Sequence, residues 1–135
     1  MEWKFKKNSL DNSQIKLIEQ ELSVKLPIEF VALIKQNNGA RPSKNSYDLK
    51  NEKGKFFDSL IDYSFEEKNN VVAVYKRLKT YSVNKMIPFG EDGFGNYICF
   101  NYVNEENPNV VFYDHEINEV IEITNSFNEF LDLLY

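Results

Sequence analysis

The chain has 135 residues, 42% hydrophobic and 15% aromatic, including eleven Phe and eight Tyr; it is long enough for one packed domain and too apolar for a disordered acidic segment. Its net charge of −5 is unevenly laid out, because residues 1 to 85 hold all 16 Lys and Arg, whereas the residues after Lys85 carry ten carboxylates and no cation: Glu91, Asp92, Glu105, Glu106, Asp114, Glu116, Glu119, Glu122, Glu129 and Asp132. A field of that sign repels phosphate and anionic lipid and steers a basic protein, so direct nucleic-acid or membrane-surface binding is not expected.

Asp11 and Gln14 stand at capping-box spacing before Ile15, Ile18 and Leu22, which share one face at helical steps and predict a first helix over 11–22. Pro27 suits the first position of a second helix, where its missing N–H costs nothing. That helix carries the stripe Phe30, Leu33 and Ile34 and ends at Asn37 and Asn38, with Gly39 as its stop. A polar loop through Arg41, Pro42 and Ser43 follows, then a hairpin in which Tyr47 and Leu49 face Phe56 and Phe57 around Gly54. Val71, Val74, Tyr75 and Leu78 predict an inserted helix, although two adjacent Val residues leave a strand open at its start. From Met86 the period changes to two. Ile87 and Phe89, then Ile98, Phe100 and Tyr102, then Val110 and Phe112, then Val120 with Ile123 read as strands of an antiparallel meander, separated by turns at 90–96, 104–109 and 115–118. Ser126 and Glu129 form a capping box for a terminal helix whose stripe of Phe127, Phe130, Leu131 and Leu134 covers the sheet. The expected fold is α+β: a single domain over 1–135 with two N-terminal helices, a central antiparallel sheet with an inserted helix, and a C-terminal covering helix.

The single Cys99 lies in a strand-like apolar run and excludes a disulfide within the chain. Met1 to Leu10 has no apolar signal region, and no stretch of eighteen apolar residues occurs, so a cytosolic protein is expected. Acyl-transfer chemistry lacks its parts, since His115 is the one histidine and no Ser stands in a nucleophile elbow. A dyad of Cys99 with His115 would need a reactive thiolate, which an apolar strand opposes. Zinc has too few nitrogen and sulfur ligands here. Gly90, Gly93 and Gly95 follow a strand but lead into another strand, so they match no phosphate-binding loop and are better explained by turn geometry. One catalytic alternative groups Glu91, Asp92, Asp114, His115 and Glu116 as oxygen and nitrogen ligands for Mg²⁺ or Mn²⁺ in a metal-dependent phosphoesterase. The competing reading is turn chemistry, with Asp92 hydrogen-bonding its own turn. No cofactor is expected.

One order of landmarks runs through nearly the whole chain: Leu26-Pro27 with Phe30 and Leu33, Asn38-Gly39, Ile87-Pro88-Phe89-Gly90, Asp92, Gly95-Asn96, then Val111, Tyr113, Asp114 and His115, and finally Ser126-Phe127 with Phe130 and Leu131. In that order the sequence resembles the SUKH superfamily, Smi/Knr-like branch. It departs at Arg41, a cation after Asn38-Gly39, and in the charged loop from Lys50 to Asp58. The resemblance implies an α+β domain, no catalytic residues, and one of two roles: a bacterial immunity protein that binds and neutralises a polymorphic toxin, often a nuclease, or a regulatory adaptor like the fungal relatives.

The leading expectation is an immunity protein whose partner is a cognate toxin with a basic nuclease domain, bound without catalysis. Carboxylates on hairpin turns would speed encounter, and an aromatic anchor would slow release. The candidate partner-binding residues are Glu91, Asp92, Phe94, Asn96, Asp114 and Glu116.

Overall fold

The computed structural model describes residues 1–81, 85–103 and 106–135. Two expectations, the carboxylate Glu105 and the start of the turn at 104–109, lie outside the described residues.

Strand β1 (Trp3–Lys4) precedes helix α1 (Asn12–Leu22), which opens as its sequence dictates. The Asp11 side chain accepts the Gln14 N–H, and the Gln14 side chain returns to the Asp11 N–H at 2.8 Å. That reciprocal pair satisfies two donors a bare helix start leaves unmet. Ile15, Ile18 and Leu22 form the buried face, and Ser23 ends the helix in the left-handed region. Helix α2 (Ile28–Asn37) begins one residue later than the proline rule predicts: Pro27 is the extended residue before the first turn, and its carbonyl accepts the Val31 N–H. Gly39, at φ +68°, turns the chain beyond α2.

The Arg41 segment is a strand, β2 (Arg41–Pro42), rather than a free polar loop, and it pairs antiparallel with β1. The expected hairpin forms from β3 (Ser46–Tyr47) and β4 (Lys55–Phe56). Next comes β5 (Ser59–Leu60), too short to leave a period in the sequence. It joins the main sheet at its edge, in the order β5, β6 (Met86–Glu91), β7 (Tyr97–Asn101), β8 (Asn109–Asp114) and β9 (Glu119–Thr124), every pairing antiparallel. Helix α3 (Val71–Tyr81) is helical from its first Val and packs against β6. Helix α4 (Phe127–Leu133) packs against β8, β9 and α2.

The period-two pattern underestimates burial in the sheet centre. Ile98, Cys99 and Phe100 of β7 are all buried, as are Val110 to Tyr113 of β8. Side chains alternate across a strand, so both faces of these strands are covered. On one face Phe30 of α2 makes edge contacts with Tyr63, Phe100 and Phe127 at centroid distances of 5.0, 5.1 and 5.2 Å. Phe89 stacks on Phe100 at 4.4 Å and meets Phe127 and Phe130 of α4 at 5.5 and 5.6 Å. Edge-to-face geometry sets ring hydrogens against neighbouring π faces and adds to the area effect. A register shift between Pro88 and Gly90 places Phe89 in this cluster.

The terminal capping box closes only in part. Ser126 Oγ accepts the Glu129 N–H at 3.2 Å, but Glu129 reaches one residue further back, to the Asn125 N–H at 3.2 Å and the Thr124 hydroxyl at 2.7 Å.

Phe30→Ala removes the ring shared by two helices and the sheet, and is expected to cost about 3–5 kcal/mol in urea unfolding. Phe65→Ala, at an exposed position, is expected to stay within about 0.5 kcal/mol of the parent.

Candidate functional site

In an antiparallel meander the β6–β7 and β8–β9 turns emerge at the same end of the sheet; Asp92, Phe94, Asn96 and Glu116 lie on them, whereas Glu91 and Asp114, expected on the turns, are the last paired residues of β6 and β8. The first turn is built by Asp92. Its Oδ1 accepts the N–H groups of Phe94 at 2.7 Å and Asn96 at 3.2 Å, and its Oδ2 accepts Asn96 Nδ2 at 2.8 Å. Asp92 is only 7% exposed, so its carboxylate is committed to its own turn. It holds the loop in shape and presents little surface to a partner. Gly93 and Gly95, at φ +82° and +89°, supply the left-handed positions that this tight path requires.

Asn96 joins the two turns. While Nδ2 holds Asp92, Oδ1 accepts the backbone N–H of His115 at 3.1 Å and meets His115 Nδ1 at 2.9 Å. A carbonyl oxygen only accepts, so the ring contact needs its proton on Nδ1. The imidazole lies over Gly95, where an added Cβ would stand 3.0 Å from Cε1. In the second turn Asp114 Oδ1 accepts the Glu116 N–H at 3.0 Å, and Asn118, left-handed at φ 51°, accepts the Tyr113 hydroxyl at 2.7 Å. The landmarks Gly95-Asn96 and Asp114-His115 are thus two halves of one clasp.

The clasp displays a mixed surface. Phe94 at its tip is 75% exposed, and Ile117 and Val120 of the second hairpin are 62% and 42% exposed. Glu116 and Glu119 are exposed beside them, with Glu91 and Asp114 half-buried. The sequence reading singled out Phe94 but not Ile117 or Glu119; the available signal was an apolar residue inside an otherwise polar hairpin turn. Burial raises the Glu91 carboxyl above the usual range, and the neighbouring Asp58 and Asp92 charges add to this against a weak 3.4 Å hydrogen bond from Ser59.

Catalytic arrangements find little support in this geometry. Cys99 is fully buried in β7, and burial pushes its thiol well above the ordinary range, while His115 is engaged by Asn96 in an exposed turn. Among the described residues no group of three or more His, Cys, Asp and Glu is arranged to hold a metal ion. Likewise, no helix among them is long and apolar enough to cross a membrane.

Residues 9–133 match the profile of the SMI1 / KNR4 family (SUKH-1). No curated protein matches the chain.

A carboxyl whose folded pKa lies above its unfolded one costs stability as pH rises between the two values. For Glu91 that interval starts at the ordinary value of 4.5. The melting temperature of the wild type is therefore expected to fall relative to Glu91→Gln as pH rises upward from there. Asn96→Ala unfastens the clasp and leaves part of the Asp92 carboxylate unpaired, an expected loss of about 1–3 kcal/mol. It is also expected to speed amide exchange at both turns together.

Proposed function

The chain belongs to the SMI1 / KNR4 family (SUKH-1), and from that premise we propose that it is a cytoplasmic immunity protein that binds and neutralises a cognate bacterial toxin domain, a nuclease, without catalysis of its own. In this reading residues 1–135 act as one domain. The observation that carries it is the clasp, where two hairpin turns are held together by Asn96 and present exposed Phe94 and Ile117 among carboxylates. A nuclease groove is built to hold phosphate, so it is basic where it binds nucleic acid. An acidic rim around an apolar tip complements such a groove in both charge and chemistry.

The two components do different work. Glu91, Asp114 and Glu116 act at a distance, raising the rate of encounter, and are screened by salt. Exposed ion pairs contribute only about 0–1 kcal/mol each to affinity. Phe94 is the anchor, a large apolar surface whose burial slows dissociation. Asp92 and Asn96 keep the anchor in place, so little loop ordering remains to oppose binding.

Co-expression with the product of the adjacent upstream reading frame tests the proposal: restored growth and co-purification are expected. Loss of both removes the toxin partner and leaves the regulatory adaptor role. With the toxin in hand, the association rate is expected to fall steeply between low and physiological salt; a rate indifferent to salt would remove the steering role. Phe94→Ala is expected to weaken binding by about 2 kcal/mol, mainly through faster dissociation. The triple variant Glu91→Gln, Asp114→Asn, Glu116→Gln is expected to slow association about tenfold at low salt.

A further inference from the structure

The main sheet has two edges, and they differ. The β5 edge is two residues long and covered, since the Leu60 N–H donates to the Ala40 carbonyl at 2.9 Å. The small β3–β4 sheet is closed in the same manner by Tyr135, which exchanges backbone hydrogen bonds with Ser46 at 2.9 and 3.0 Å. By contrast β9 is six residues long, pairs with β8, and meets no second strand among the described residues. Alternate residues of such an edge hold their N–H and C=O groups outward, a template for another extended chain.

We propose that β9 accepts an extended, basic segment of the protein partner as an additional strand of the sheet, an inference that rests on the toxin-binding reading. The backbone edge selects the conformation of the occupant, and charge selects its chemistry. β9 contains Glu119 and Glu122 and no cation. Both carboxylates are exposed, and among the described residues neither is ion-paired. Standing three residues apart in a strand, they flank the edge from opposite faces of the sheet. An incoming strand with Lys or Arg on both of its faces meets each of them, and opposite charges on paired strands are stabilising. A second copy of this chain fits poorly, because β9 set against itself lays carboxylates along carboxylates.

The site continues the clasp. Asp114 and Glu119 pair where the β8–β9 hairpin leaves its turn, so a segment that follows β9 runs directly from the exposed Ile117 and Val120. The ladder skips Ile123, where the register shifts, which leaves 119–122 as the regular stretch for pairing. Main-chain bonds there supply affinity, while the flanking acids and Val120 read the side chains of the occupant.

The test uses the full chain with the toxin that co-purifies with it. Amide exchange in the complex is expected to slow at least about tenfold at alternate residues of 119–122, and much less at the residues between them, which already bond to β8. Glu119→Gln with Glu122→Gln is expected to weaken binding about tenfold at low salt. Val120→Pro and Ile121→Pro divide the two sides of the strand, since one removes an outward N–H and the other a bond to β8. The outward variant is expected to fold and to bind at least about tenfold more weakly. If neither proline variant folds, exchange in the wild-type complex decides. A complex without added protection in β9 overturns strand addition and leaves toxin binding standing. Unchanged affinity in the glutamine variant overturns the basic segment, and a free protein that dimerises with the same alternate protection assigns the edge to a second copy instead. Absence of any toxin complex removes the toxin reading, and strand addition with it.

Discussion

Asn38 is the tie on which the rest of the molecule depends. It is fully buried at the end of α2, and its side chain makes three hydrogen bonds: Nδ2 to Asn8 at 3.2 Å and to Asp62 at 2.7 Å, and Oδ1 from the Tyr63 N–H at 2.8 Å. Its carbonyl accepts the Lys7 N–H at 2.8 Å. Three chain segments far apart in sequence are fixed by one amide. A buried amide of this sort gains little net energy when satisfied but is expensive to leave unmet, so it selects one arrangement among many that an aromatic core alone would accept. From it follow the position of Tyr63, whose hydroxyl donates to the Pro88 carbonyl at 2.7 Å and whose ring meets Phe30, and the place of Asp62 beside it.

The same logic recurs at the sheet end. Asp92 and Asn96 replace solvent as partners for turn backbone, and an Asn side chain crosses from one hairpin to the other. In both places a short polar side chain acts as a structural bolt. Two of the sequence landmarks, Asn38-Gly39 and Gly95-Asn96, are these bolts, so both motifs are accounted for by the chain segments they hold together.

Much of the architecture was legible because it is local. Capping at Asp11, helical stripes at Ile15 and Val71, and alternation from Met86 onward each report a geometry set within a few residues. β1, β2 and β5 were illegible because two-residue strands have no period and these pair with distant segments, whereas the equally short β3 and β4 were marked by the Gly54 turn between them. Burial on both faces of β7 was similarly hidden, since it depends on what tertiary packing brings over Cys99. At the site, Phe94 and Glu116 were legible as turn residues, whereas Glu91 and Asp114 end β6 and β8, because the ladder runs one residue further than the apolar alternation shows. The sequence could not divide Asp92, which faces inward to its turn, from Glu116, which faces water, because both are acids in hairpin loops. The acidic half of the chain also disperses in space, with Glu122 against Asn109 and Glu129 holding the start of α4, so composition alone overstated the charged face.

The clasp separates two tasks that a single loop would confound. Its shape is held by Asp92, Gly95, Asn96 and His115, whereas Phe94 and Ile117 are mostly exposed to solvent and lie outside the buried core. Exchange of those two tips therefore leaves the frame and the core intact. On the proposed function, inherited variation at these tips rewrites what is recognised at almost no cost to folding, which is the property a lineage needs when the molecule it must hold keeps changing.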